Sequence, residues 1–284
     1  MALPNHLVLV RHGYSEGNAV KHEGGDEDPA YYSEPFYERP GRDWRLMEQG
    51  VEEAHAAGKW IGRHILGAYP ELQNRFDFMV SSPLTRTTET AAHLHLPNPD
   101  WRYDIRLRER DWGDIESMSL ARYEKRYKEN AARKARDPLY WRPPGGESIA
   151  QVGETRFRSM LGTLHDQRNK KGEAFESAIF STHGEWIWAS HLILERMGHR
   201  DWDLAKSDVN RKIKNAQVTH FTRLNPETGE QANTLAWVRS VCPWETPDSP
   251  GEWRYIEPKR YDNDELLEAA RAVPPLDMPG SQKI

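Results

Sequence analysis

Four apolar residues, Leu7-Val8-Leu9-Val10, run directly into Arg11-His12-Gly13-Tyr14-Ser15-Glu16-Gly17-Asn18. A short apolar run closed at once by loop residues reads as a buried strand. In open α/β sheets, ligands bind in the crevice outside the carboxyl ends of the strands. Arg11 and His12 are therefore expected to project into that crevice. Imidazole is a good nucleophile and guanidinium a good phosphate clamp, so the pair points to phosphoryl transfer through a phosphohistidine.

Composition narrows the alternatives. The chain has 284 residues, 37% of them hydrophobic and 29% charged, with 11 Trp. That suits one large α/β domain with insertions and a polar, aromatic-rich periphery. No stretch approaches the roughly 20 apolar residues of a membrane span. The first residues lead straight into a strand, so no signal peptide is expected. Cys242 is the single cysteine, which excludes an internal disulfide and a cysteine-based zinc site and fits a reducing, cytoplasmic setting. A net charge of −5 argues against a nucleic-acid backbone as partner.

The pattern along the chain predicts alternating strands and helices. Residues 22–45 interrupt it with Gly24-Gly25, three prolines and several aromatics, and read as an inserted loop or lid. A helix is expected from Met47 and a strand over 76–81, then a helix with Ser82 as N-cap and Pro83 at its first position. Residues 101–116 read as irregular and 119–135 as a charged helix. Ser148-Ile149-Ala150-Gln151 has the form of a capping box opening a helix to about Asp166. A strand over 178–181 leads to a helix over 184–197 closed by Gly198, and 217–224 with 234–241 form a hairpin. The tail, 243–284, is rich in Pro and Trp and is expected to pack on the domain 1–242 as extended chain.

Three of these strands end in chemically loaded peptides: Arg11-His12-Gly13, Ser81-Ser82-Pro83 with Arg86 just beyond, and Ser181-Thr182-His183-Gly184. Parallel strands deliver their carboxyl ends to one edge, so two arginines and two histidines can converge there. Such a site would bind a dianionic phosphoryl group, with helix N-termini adding backbone donors.

These motifs resemble those of the histidine phosphatase superfamily, the phosphoglycerate-mutase-like branch 1. Arg11 to Asn18 matches its Arg-His-Gly-x-Ser-x-x-Asn signature. Ser81-Ser82-Pro83-Leu84-Thr85-Arg86-Thr87 matches its second motif. Leu107-Arg108-Glu109-Arg110-Asp111-Trp112-Gly113, Gly145-Gly146-Glu147-Ser148 and Thr182-His183-Gly184 also fit, in the family's order. The resemblance implies a three-layer α/β sandwich with a mostly parallel central sheet. It further implies His12 as nucleophile, Glu109 as the acid that protonates the leaving oxygen, and Arg11, Asn18, Arg86 and His183 around the phosphate. It implies neither metal nor cofactor. Asp104, Asp111, Asp114 and Glu116 are rival acids near Glu109. The remaining histidines show no metal-ligand spacing; His93-x-His95 falls at a helix end, where a cation is favourable.

Phosphatase and mutase readings diverge in detail. The resemblance places a Phe-Thr-Gly-Trp-like segment after the first motif of mutases, where this chain has Val20-Lys21-His22-Glu23-Gly24-Gly25-Asp26. The mutase His-Gly-Asn becomes His183-Gly184-Glu185, and Glu185 would repel a substrate carboxylate. The expected activity is hydrolysis of a phosphomonoester, as a small molecule or a phosphopeptide, with substrate and oligomeric state unspecified. The alternatives are a cofactor-dependent mutase-type phosphotransferase and a non-catalytic phospho-ligand module.

Overall fold

Side chains of the first strand, β1 (His6–Arg11), leave alternately on two sides and enter two different cores. Leu7 and Leu9 pack with Phe157, Phe180 and Trp186, whereas Val8 and Val10 pack with Trp60, Ile61 and Ile179. A period-two strand that is apolar on both sides must be covered on both faces, and that requirement makes the three layers. The computed structural model describes residues 3–25, 28–166, 168 and 172–276.

The other strands are β2 (Phe78–Ser81), β3 (Trp101–Tyr103), β4 (Ser177–Thr182), β5 (Val218–Thr222), β6 (Trp237–Val241) and β7 (Arg254–Tyr255). They form one seven-stranded sheet in the order β3-β2-β4-β1-β5-β6-β7. The half containing β3, β2, β4 and β1 is parallel. The hairpin strands β5 and β6, with β7 at the edge, run antiparallel. The sheet is thus mixed, and its parallel half carries the loaded strand ends.

The helices are α1 (Glu16–Glu23), α2 (Glu34–Glu38), α3 (Glu48–Ile61), α4 (Thr85–His93), α5 (Leu120–Arg126), α6 (Lys128–Arg136), α7 (Ile149–Gln151), α8 (Arg158–Asp166), α9 (Gly184–Leu194), α10 (His199–Ser207) and α11 (Asn263–Arg271). The apolar sides of α3 and the end of α4 cover one face of the sheet, and α7 to α10 cover the other. The Ser148–Gln151 capping box forms as the sequence predicts. No helix among the described residues is long and apolar enough to cross a membrane.

The structure departs from the sequence reading in several details, and Trp101–Tyr103, read as irregular, is the edge strand β3. Leu84, not Ser82, is the N-cap of α4. The 119–135 helix is split at Tyr127, which leaves helical geometry (φ −124°, ψ 50°) and donates its hydroxyl to Asp114 at 3.1 Å. Arg196, not Gly198, reverses the chain after α9: it takes a left-handed φ of 50°, and the Met197 N–H bonds back to the Leu192 carbonyl. Gly198 instead caps α10, a helix the sequence reading did not contain. Nor is the tail extended throughout, because the Asp262–Glu265 capping box starts α11, none of whose side chains is buried.

Glu195, just past α9, ties three elements together. It accepts hydrogen bonds from His191 Nδ1 (2.6 Å), Arg211 (2.9 Å) and Arg254 of β7 (2.6 Å). Burial pushes its carboxyl upward, but His191, Arg254 and Arg211 outweigh that and hold it at about 2. Arg254 is half exposed and Arg211 partly so, so the cluster is worth less than a fully buried one. Glu195→Gln is expected to lower stability by roughly 1–3 kcal/mol, read as a shift in the urea midpoint at pH 7. An unchanged midpoint would show the cluster to be solvated.

Candidate active site

Strand register brings the sequence motifs together. Arg11 lies opposite Thr182 in the β1–β4 pair, and Ser81 lies opposite Ser181 in the β2–β4 pair. Arg11-His12, Ser82 and His183 therefore leave the sheet side by side at one edge. Gly13 and Gly50 make this turn possible. A Cβ on Gly13 would fall on the Gly50 carbonyl, and one on Gly50 would fall on the Tyr14 backbone. α4 follows Ser82 at once and α9 begins with His183 as its N-cap, so both helix N-termini face the same edge.

The hydrogen bonds fix the state of each ring. His12 is buried, and its Nδ1 lies 2.8 Å from the Gly13 carbonyl. A carbonyl can only accept, so Nδ1 carries the proton and Nε2 keeps its lone pair. Arg86 Nε donates to that Nε2 at 3.4 Å, and Arg86 Nη2 donates to His183 Nδ1 at 3.4 Å. His183 Nδ1 is then an acceptor, and its Nε2–H donates to Ser82 Oγ at 3.0 Å. The two imidazoles stand edge to face, 5.2 Å apart between centroids.

Arg86 is held by the insertion: its Nη1 donates to the Gly41 carbonyl at 2.8 Å. Arg11 Nη1 donates to the Ile213 carbonyl at 2.8 Å, while Arg11 Nε is buried with no partner among the described residues. A buried guanidinium donor left open beside two neutral imidazoles is what an anion would complete.

Arg11, His12, Asn18, Arg86 and Glu109 line one cavity of ≈ 540 Å³, with Lys21, Trp44, Trp112, Glu116, Glu185, Trp188 and Lys206. His183 lies behind Arg86 against Ser82. Asn18 Oδ1 accepts from Ser15 N–H (3.2 Å), Ser15 Oγ (2.9 Å) and Asn215 Nδ2 (3.0 Å), which leaves its own amide N–H groups as the donors available to a ligand. Glu109 Oε1 accepts the Arg110 N–H at 2.8 Å. Burial raises the Glu109 carboxyl and Glu185 adds to the rise, against that N–H bond and the charges of Arg86 and Arg11. Asp111 accepts from the Gly113 N–H and Asp114 from Tyr127; neither lines this cavity.

Several residues of the site were given no role by the sequence. Asn215 donates to the His12 carbonyl at 3.1 Å as well as to Asn18. Thr90 accepts the Gly13 N–H at 3.0 Å and donates to the Arg86 carbonyl at 2.7 Å, linking the two motifs. Glu147 and Arg156 grip the Glu109 peptide: Arg156 donates to the Arg108 carbonyl (2.6 Å) and to Glu147 (2.8 Å). The aromatic residues of 22–45 divide their work. Tyr32 and Phe36 form a small cluster with Val20 and Trp44, and Trp44 stacks on Phe36 at 5.0 Å while facing the cavity. Trp141 is buried against Tyr123 and Trp112 and does not line the cavity.

Burial drives His12 and His183 well below the ordinary histidine value, and the neighbouring arginines push the same way. Burial also lowers His6 to about 4, aided by Arg239, and lowers His220 beside it. All four are neutral in the fold at neutral pH. The unfolded chain protonates them near pH 6.5, so it binds more protons than the fold below that pH, and stability falls as pH drops. We expect the melting temperature to decline steadily from about pH 7 to about pH 5. A flat profile across that window would mean that the folded protein accepts these protons.

A sequence model of the histidine phosphatase superfamily (branch 1) matches residues 7–230. A 2,3-bisphosphoglycerate-dependent phosphoglycerate mutase of Brucella melitensis is 27% identical over 226 residues, spanning 78% of this chain and 93% of the mutase. The protein of the same name from a Chelativorans species is 32% identical over 228 residues, again spanning 78% and 93%. Among solved structures, a mycobacterial hydrolase superposes with a TM-score of 0.56 at 25% identity, covering 76% of this chain and 91% of its own. A mycobacterial glucosyl-3-phosphoglycerate phosphatase with bound VO3 gives a TM-score of 0.58 at 24% identity, covering 77% and 92%, a likeness of fold.

Proposed function

The chain belongs to the histidine phosphatase superfamily (branch 1), and on that premise we propose that it hydrolyses phosphomonoesters through a phosphohistidine on His12. The observation that carries the reading is the Nδ1–Gly13 bond, which leaves the Nε2 lone pair as the nucleophile. Nε2 attacks phosphorus and the ester P–O bond breaks. Glu109, whose carboxyl burial and Glu185 push upward, gives its proton to the leaving oxygen. Water then attacks the phosphohistidine, Glu109 takes the water proton, and the P–N bond breaks to restore the lone pair and release phosphate. Arg11, Arg86 and Asn18 hold the phosphoryl oxygens. His183 has only a lone pair to offer at Nδ1 in the free site. A dianion beside it favours protonation, and the imidazolium then donates to a phosphoryl oxygen.

Hydrolysis is preferred to mutase chemistry because Glu185 brings a carboxylate to the cavity, held low by Lys206, Arg110 and Arg11 against the upward push of burial. The names of the curated relatives favour the second reading, transfer back to an acceptor. Trp44, Trp112 and Trp188 suit an organic leaving group with an apolar face, on a small molecule or a phosphopeptide. In this proposal residues 1–242 are the catalytic domain, 22–45 an insertion over the site and 243–284 an appended tail. A cytoplasmic setting belongs to the same proposal, with burial pushing the Cys242 thiol up to about 12 and leaving it unreactive.

A phosphate-release screen over phosphomonoesters, with and without 2,3-bisphosphoglycerate, tests the reading. Release from at least one ester without the bisphosphate supports it. Turnover only as transfer to 3-phosphoglycerate would replace it with the mutase reading. Activity is expected to persist in EDTA, because the arginine cage supplies the positive charge that a metal would otherwise provide. Loss in EDTA, restored by one divalent ion, would overturn the mechanism.

A further inference from the structure

We propose that His55, His93 and His95 form a binding site for a divalent transition-metal ion of the zinc type, with the fourth coordination position open to water. None of the three lines the catalytic cavity. His55 lies on α3, His93 is the last residue of α4, and His95 follows in the turn. The helices meet closely because residue 58 is glycine; a Cβ there would fall on the Leu94 carbonyl oxygen. That contact sets His55 against His93 and His95.

The geometry suits coordination. One ligating nitrogen from each ring can be chosen so that all three lie within 4.8 Å of one another. His55 Nε2 and His95 Nε2 are 3.2 Å apart. Two nitrogens bound to one tetrahedral zinc at 2.0–2.1 Å are separated by about 3.3 Å. The His93 ring stands edge-on to both neighbours, with centroids 5.3 Å and 6.0 Å away. His95 holds a left-handed φ of 47°, a conformation that glycine or asparagine takes more readily. A set of imidazoles alone selects zinc, copper or nickel over magnesium or calcium. A bound ion would clasp α3 to the end of the helix whose first turn carries Arg86.

The test uses the untagged full chain. Zinc affinity is measured by competition with a chromophoric chelator, and cobalt(II) absorption reports tetrahedral coordination. The wild type should bind one equivalent at micromolar concentration or tighter. His55→Gln and His95→Gly should each weaken binding at least about tenfold, whereas His183→Gln, which removes a catalytic-cage imidazole, should leave it unchanged. Glycine suits the backbone at 95, so His95→Gly should fold; zinc should raise the melting temperature of the wild type but not of this variant. Wild-type affinity equal to that of His95→Gly, or binding lost in His183→Gln instead, would overturn the proposal.

Discussion

Replacing His12 with alanine should abolish phosphate release, by at least about 10³-fold in kcat/KM, because the covalent route disappears with its nucleophile. The site is built around the Nε2 of this ring. Its other nitrogen is committed to the Gly13 carbonyl, and Arg86 reaches Nε2 at 3.4 Å. The wild type mixed with a labelled ester and quenched in base should retain label on protein that is lost in acid, as a phosphoramidate requires, and His12→Ala should retain none. The variant keeps Arg11, Arg86 and Asn18, so it should still bind vanadate weakly, and that binding reports an intact cage. Substantial turnover by a folded His12→Ala would mean that another group attacks, and the phosphohistidine route would have to be abandoned.

The strand ends were legible in the sequence because each apolar run stops at a motif: Arg11-His12-Gly13, Ser81-Ser82-Pro83 and Thr182-His183-Gly184. Their register was not legible. The alignment of Arg11 with Thr182 and of Ser81 with Ser181 depends on how β4 slides between β1 and β2, which no local pattern specifies. Groups that act through backbone atoms were hidden for the same reason. The Gly41 carbonyl that holds Arg86 and the Ile213 carbonyl that holds Arg11 belong to segments with no chemical signature. Asn215 was one polar loop residue among many until the fold set it beneath His12. The same limit applies to the histidine cluster: His93-x-His95 is visible as a dipeptide spacing, but His55 lies on a different helix and joins it only through the α3–α4 contact at Gly58. Capping errors had a different origin. Ser82 looks like an N-cap, but its hydroxyl accepts from His183, and the cap of α4 is the extended Leu84, with the helix starting at Thr85.

Glu109→Gln should slow esters with poor leaving groups about 10²–10⁴-fold, the usual worth of a positioned acid, and slow p-nitrophenyl phosphate far less. An alkoxide of high pKa needs its proton in the transition state, whereas nitrophenolate departs largely unaided. The glutamine keeps the carbonyl oxygen that accepts the Arg110 N–H, so the peptide gripped by Arg156 and Glu147 should stay in place. The pH profile supplies a second readout. Burial and Glu185 raise the Glu109 pKa, so the protonated form needed for the first step persists to higher pH than an ordinary glutamate allows. Wild-type kcat/KM for alkyl esters should therefore fall on the alkaline side as this proton is lost, and that limb should vanish in Glu109→Gln. Arg86 and Arg11 oppose the rise in the free site, and a bound phosphate dianion offsets their charge, which moves the limb to still higher pH in the complex. Equal, small losses on both ester classes with the limb retained would remove Glu109 from this role. Glu116, the rival acid that lines the cavity, would then need testing first, since Asp111 and Asp114 serve the Gly113 N–H and Tyr127 and do not line it.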